Sequence, residues 1–295
     1  MHILYPPAWS GVPTHWMSPS TAILFPGQGS QTTDMRDGVQ DARPDLLEMV
    51  IEVVGEDPFP RAGEGTNFAQ PAIFCASLAG WHALGSPAGD FMAGHSLGEL
   101  AALVAAGALA ERDGLELVTL RGRLMHEAGK RSGDGGMVAL LGPGAAERAP
   151  EIALAHDLVV ANDNSPQQVV LSGACSELPG AIQTAKELGL RAMALDVTGA
   201  FHSPMMAGAV PEFAAALEST QFAPPNVPVI SAVTVRPFED PRRQLADALT
   251  MPVRWRETML ALQELGAGRF VEVGPGRVLT GLAKRTLRDV ELASV

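Results

Sequence analysis

Two kinds of apolar pattern alternate along the chain. Short unbroken apolar runs at 21–25 (TAILF) and 90–93 predict buried strands, each running into a glycine-containing loop. Elsewhere apolar residues recur every three or four positions, over 44–54, 70–84, 97–106 and 111–128, and this spacing predicts helices. Pro71 reads as the opening of the second of these, with Gly85 and Gly107 as stops.

From 137 to 197 the rhythm changes to strand, helix, strand, strand, helix, strand: MVALLG, AAERAPEIALA, LVVAND, QQVVLSG, ELPGAIQTAKELG and RAMALDV. That order is the split-βαβ, or ferredoxin-like, unit. Afterwards helix and strand alternate again, with a helix at 210–219, a strand at 229–233, a helix at 253–265, a strand at 269–273 and a last helix after GPGRV. The fold class expected is therefore α/β in two lobes: a large subdomain from 21–135 and 201–295, and a small inserted one from 136–200. The cleft between them is the natural place for a site. Residues 1–20, rich in proline and lacking either periodicity, read as a flexible extension.

Charge narrows the function. The 295 residues carry 21 Lys plus Arg against 33 Asp plus Glu, a net charge of −12, which argues against general binding to nucleic acid or to an anionic membrane. Cys75 and Cys175, the only cysteines, signal neither a disulfide framework nor a zinc site, and a reducing cytoplasm fits them best. The first residues lack the basic and apolar regions of a secretory signal, and no run of about 18 apolar residues occurs.

The stretch AGHSLGEL, residues 93–100, holds the first chemistry. GHSLG fits G-x-S-x-G, in which a tight strand-to-helix turn thrusts a serine hydroxyl outward. The pattern is short, but a predicted strand precedes it and a predicted helix follows it. The free N–H groups at that helix start, Leu97 first, could stabilise an oxyanion beside Ser96. A small-residue turn with no chemistry is the alternative.

A nucleophilic serine needs a base. Among the seven histidines, His2 and His15 fall in the extension, and His82, His126 and His156 fall on helices or their ends. His95 adjoins the serine, and a tight turn would point it elsewhere, into packing. His202 lies in GAFHSPMM, the segment that leaves the small lobe for the large one, where a base can reach across a cleft. No Asp or Glu obviously completes a triad, so a Ser96–His202 dyad steadied by a backbone carbonyl is the expected arrangement.

Two further positions stand out. Gln28, in FPGQGSQ, sits in a loop whose glycines permit close approach to a ligand, although that loop lacks the lysine and spacing of a phosphate-binding motif. Arg121 falls on the row Leu117, Arg121, Leu124, Ala128, which is otherwise apolar and should face inward, whereas Arg123 lines up with Thr119, Glu127 and Lys130 on a solvated row. A buried guanidinium needs a carboxylate, either from the protein or from a substrate, and its planar fork suits either.

Together FPGQGSQ, GHSLGE, LRGRLM, NDNSP, AFHSP, PVRW and VEVGPGRVLTGL resemble, in order and spacing, the malonyl-CoA:acyl carrier protein transacylases, over most of residues 21–288. The resemblance implies an α/β-hydrolase-like large subdomain with an inserted ferredoxin-like small one. It implies that Ser96 is acylated, that His202 is the base, that Gln28 and the Leu97 N–H form the oxyanion hole, and that Arg121 clamps the malonyl carboxylate. Leu97 and Phe201 resemble the malonyl-selective pattern of related acyltransferases.

The implied substrates are malonyl-CoA and the phosphopantetheine thiol of an acyl carrier protein, most directly that of fatty acid synthesis, with no cofactor and a monomeric enzyme. Carrier docking would call for a local basic surface, for which Lys186, Arg191, Arg254, Arg256, Lys284 and Arg285 are the candidates. One departure is Ala248, where many members carry Gln near the catalytic histidine. A serine hydrolase with the same dyad and a non-catalytic carrier-docking lobe are the competing readings; the first gives no reason for an inward Arg121, and the second none for the dyad.

Overall fold

The computed structural model describes residues 19–295, so the extension expected at 1–20 lies outside it apart from its last two residues. The first apolar run forms β1 (Ser20–Phe25), whose side chains from Ala22 onward are buried on both faces. It is flanked on one side by β2 (Phe91–Gly94) and on the other by β8 (Ala267–Glu272), both parallel to it. The short β7 (Val229–Ile230) and β9 (Glu291–Ser294) complete a five-stranded parallel sheet in the order β7-β2-β1-β8-β9. A parallel sheet must be covered on both faces. One cover includes α3 (Thr66–Ala83), α4 (Gly98–Ala105) and α5 (Glu111–Ser132); the other includes α10 (Trp255–Glu264) and α11 (Val278–Thr286).

The second sheet is antiparallel, in the order β4-β5-β3-β6, from β3 (Gly135–Leu141), β4 (Val159–Ser165), β5 (Gln168–Ala174) and β6 (Arg191–Ala194). Helices α6 (Ala145–Ala155) and α7 (Leu178–Glu187) pack on one face of it and enclose a separate apolar core that includes Val138, Leu140, Ile152 and Leu171. The α/β class and the strand order of the split unit thus agree with the sequence pattern.

Several boundaries differ. Helix α3 begins at Thr66, so Pro71 lies inside it instead of opening it. An interior proline costs about 3 kcal/mol. Burial of Ala69 and of every residue from Ala72 to Ala79 offsets this, at about 1.5–3 kcal/mol for each large apolar side chain. The strand expected at 229–233 stops at Ile230, because the chain doubles back: the Ser231 N–H donates to the Arg236 carbonyl and the Val235 N–H to the Ser231 carbonyl. Helices α1 (Met35–Ala42), α2 (Pro44–Val54), α8 (Val210–Ser219) and α9 (Pro241–Asp247) complete the set; α1, α9 and β9 have no counterpart in the pattern reading. Among the described residues no helix is long and apolar enough to cross a membrane.

The two lobes are joined by more than the chain crossing between them. Val253 lies beside β4 like an added parallel strand, its N–H donating to the Ala161 carbonyl and its carbonyl accepting from the Asp163 N–H. One turn later Arg256 grips Asp163 with two arms, Nε to Oδ1 at 2.9 Å and Nη2 to Oδ2 at 2.7 Å.

Candidate active site

Strand β2 ends at Gly94, and the chain turns at once into α4. Two glycines make the turn possible: a Cβ on Gly94 would strike the Gly98 backbone, and one on Gly98 would strike the Phe25 carbonyl. Between them Ser96 is forced to φ 54°, a left-handed conformation that L residues seldom adopt. Such strain persists where the surroundings over-determine it, which is the case in this turn. The N–H groups of Gly98, Glu99 and Leu100 bend back to the carbonyls of His95, Ser96 and Leu97, and that of Leu97 has no backbone acceptor.

His202 also has a left-handed backbone, φ 56°, and is buried. Its Nε2 lies 2.8 Å from Ser96 Oγ and its Nδ1 lies 2.9 Å from the Ala248 carbonyl oxygen. A carbonyl can only accept, so Nδ1 carries the proton and Nε2 is left as acceptor for the serine hydroxyl. Burial, with the Arg121 charge and His95 nearby, pulls the His202 pKa down to about 3, which keeps the ring neutral. The contact to residue 248 is made by its backbone, so the alanine there serves as well as a larger side chain would.

Arg121 is 3% exposed, as its helical row requires. Its Nη2 donates to Ser96 Oγ at 3.1 Å and its Nη1 to Gln70 Oε1 at 2.8 Å. Among the described residues no carboxylate forms an ion pair with it, and desolvation pulls its pKa down to about 10. Gln70, which the sequence reading left unassigned, holds this arm because its own amide donates to Thr66 Oγ1 at 2.8 Å and to Met125 Sδ at 3.4 Å. Close packing of α5 on α3 brings the pair together: a Cβ on Gly122 would lie 2.8 Å from the Thr66 carbonyl oxygen. The i, i+4 polar pair Thr66 and Gln70 at the start of a largely apolar helix was the available signal. Arg123 lies on the exposed row and pairs with Glu127 and Glu212.

The remaining candidates separate clearly. Leu97 and Phe201 are buried beside Ser96 and His202 in sequence and in space. Gln28 is exposed at the tip of its loop, and that loop is anchored by Ser30, whose hydroxyl donates to the Gly27 carbonyl at 2.7 Å. The loop abuts the serine turn, since the His95 N–H donates to the Phe25 carbonyl and a Cβ on Gly27 would meet the His95 carbonyl at 2.6 Å. His95 points away from Ser96, its Nε2 2.8 Å from Asn164 Oδ1 of the small lobe and its ring edge-on to Trp255 at 5.4 Å. Of the basic residues considered for docking, Arg254 and Arg256 are already engaged by Glu257 and Asp163. Among the described residues Lys186, Arg191, Lys284 and Arg285 form no ion pair with a carboxylate, and Lys284 and Arg285 line a groove with Arg288 and Gln167.

A strained serine on a neutral histidine, with a buried guanidinium on the same hydroxyl, is equipped for acyl transfer involving a carboxylate-bearing group. Comparison with known proteins agrees. Residues 48–295 match the acyl transferase domain family. The chain is 37% identical to the polyketide biosynthesis malonyl CoA-acyl carrier protein transacylase PksC of Bacillus subtilis, over 91% of this chain and 97% of that one. It is 40% identical to the polyketide biosynthesis protein ThaF of Burkholderia thailandensis over 95% of its own length, but spans only 25% of that longer protein. The crystal structure of FabD from Acinetobacter baumannii superposes with a TM-score of 0.85 at 35% identity, covering 94% of each chain.

Proposed function

The chain belongs to the acyl transferase family, among its malonyl CoA-acyl carrier protein transacylases, and from that premise we propose that it moves a malonyl group from malonyl-CoA to a carrier's phosphopantetheine thiol through a malonyl ester on Ser96. His202 Nε2 takes the proton as Ser96 Oγ attacks the thioester carbonyl. The tetrahedral oxyanion is held by the N–H groups of Gln28 and Leu97. Collapse breaks the C–S bond, and His202 returns the proton to the departing CoA sulfur. The carrier thiol then reverses the path, giving ping-pong kinetics.

Arg121 supports the malonyl assignment. A guanidinium this deep, bonded to an amide oxygen and a hydroxyl, has no carboxylate in contact with it among the described residues, and a substrate carboxylate would supply one. Mass spectrometry after mixing with malonyl-CoA should find the malonyl adduct on Ser96; an adduct elsewhere, or none during turnover, would overturn the proposal.

For the pathway, a carrier of fatty acid synthesis is the proposed acceptor. Similarity to PksC and ThaF favours a polyketide carrier as a second reading. Transfer assays with carriers of both kinds distinguish them by kcat/KM.

A further inference from the structure

One buried ionisable group near the serine has no part in the chemistry described so far. Glu99 stands in the first turn of α4, three residues beyond Ser96, and is 1% exposed. Its Oε1 accepts the Ala232 N–H at 2.8 Å, and the Ser231 hydroxyl also bonds to it. It forms no ion pair among the described residues. Among the described residues, the charge that acts on it is that of the Arg121 guanidinium on α5, which also donates to Ser96 Oγ at 3.1 Å. His202 and His95, the other titratable groups around this interior, are held neutral by burial. With Glu99 ionised, the interior around Ser96 therefore carries one positive and one negative charge.

A malonyl group adds a second negative charge to that interior, while an acetyl group adds none. Two carboxylates sharing one buried cation cannot both remain ionised cheaply. Glu99 is the one that can yield, because a neutral carboxyl still accepts from the Ala232 N–H, whereas the malonyl carboxylate has the guanidinium in contact. Resting on the function proposed above, we infer that Glu99 is a positioning residue that acts through Arg121: it takes up a proton when the malonyl ester forms on Ser96 and releases it when the malonyl group leaves. Acyl transfer itself is proton-neutral, since the serine proton ends on the CoA sulfur. The proton taken up by Glu99 comes from solvent.

In the free enzyme burial already pushes the Glu99 pKa up to about 7. Malonyl loading should therefore take up about half a proton at pH 7 and close to one at pH 8. The loading equilibrium should fall about five-fold between those pH values, relative to Glu99→Gln, which keeps the oxygen acceptor and cannot titrate.

Loading is followed with malonyl-CoA in weak buffer with a pH indicator, the Ser96 adduct being counted by mass spectrometry in the same sample. Calorimetry of wild-type loading in two buffers of different ionisation heat measures the same uptake without any variant. CoA thiol ionisation is common to both proteins and cancels in the comparison. Full adduct formation with equal proton balance in wild type and Glu99→Gln, or no buffer dependence of the heat, overturns the role of Glu99 alone. Absence of the adduct overturns the proposed function instead.

Discussion

Ser96 and His202, 106 residues apart, meet at 2.8 Å with both backbones left-handed, at φ 54° and 56°. Each stands on a loop that holds it in a conformation its residue type disfavours, so stability has been exchanged for geometry at both ends of one hydrogen bond. Ser96→Ala removes the hydroxyl but keeps the strain; Ser96→Gly removes both. The glycine variant should be more stable than the alanine variant by about 1 kcal/mol, roughly 2 °C in melting temperature, with malonyl transfer lost in both. Thermal melts of the pair check this, and equal melting temperatures would mean the turn bears no strain.

Ser96 and His202 should fail as a unit. On the proposed chemistry, Ser96→Ala and His202→Ala each lower kcat by about 10⁴ or more, and the double variant is scarcely worse than either. Multiplying losses in the double variant would mean the two act separately.

Arg121→Ala should lower kcat/KM for malonyl transfer by roughly 10²-fold, the worth of a charge-assisted contact, while acetyl transfer falls far less. Arg121→Lys should recover only part of the loss, since an ammonium cannot hold a carboxylate and Gln70 through one planar fork. The ratio of malonyl to acetyl turnover is the measurement. An unchanged ratio would make Arg121 structural.

Acid stability should depend on two groups of opposite sign. The His202 pKa is about 3 folded and near 6.5 unfolded, so between those values the unfolded chain binds the extra proton and stability falls as pH falls. The Glu99 pKa is about 7 folded against 4.5, so its contribution is present below 4.5 and is lost as pH rises to 7. Between pH 4.5 and 6.5 the two nearly cancel. Glu99→Gln should therefore steepen the rise of stability with pH in that window, by up to about 1.4 kcal/mol per pH unit. Urea titrations at pH 5 and 6 read the slope directly.

Carrier transfer should be sensitive to charge at the groove beside α11. Reversal at Lys284 and Arg285, which have no carboxylate partner among the described residues, should raise the carrier KM about ten-fold and leave loading from malonyl-CoA unchanged. Reversal at Arg254 would instead break its pair with Glu257 and act on stability. An unaltered carrier KM would place docking elsewhere.

Much of this site was legible in the sequence because its signals are local. The two glycines around Ser96 and the strand and helix on either side specify the turn, and the 3.6-residue row sends Arg121 inward. What was not legible depends on distant partners. Gln70 matters because α5 lies against α3 at Gly122, His95 because Asn164 stands 69 residues away in the other lobe, and His202 is steadied by a carbonyl 46 residues on. Helix α9 and strand β9 are too short for periodicity to register, and Pro71 misleads because burial of the helix outweighs its local preference.

The strand-like seat of Val253 against β4 bears on how such enzymes could be recombined. The edge strands of the small sheet, β4 and β6, end at residues 165 and 194, yet the β4 edge is completed by a residue about sixty positions beyond the end of β6. A graft of 136–200 alone from a relative would set the donor's β4 edge and its residue at 163 against this chain's Val253 and Arg256 instead of their own partners. Chimeras that carry the donor's 253–256 along with its small lobe would keep the Val253 pairing and the Arg256 grip as one inherited unit, and that boundary, not the contiguous one, is where this fold can be cut.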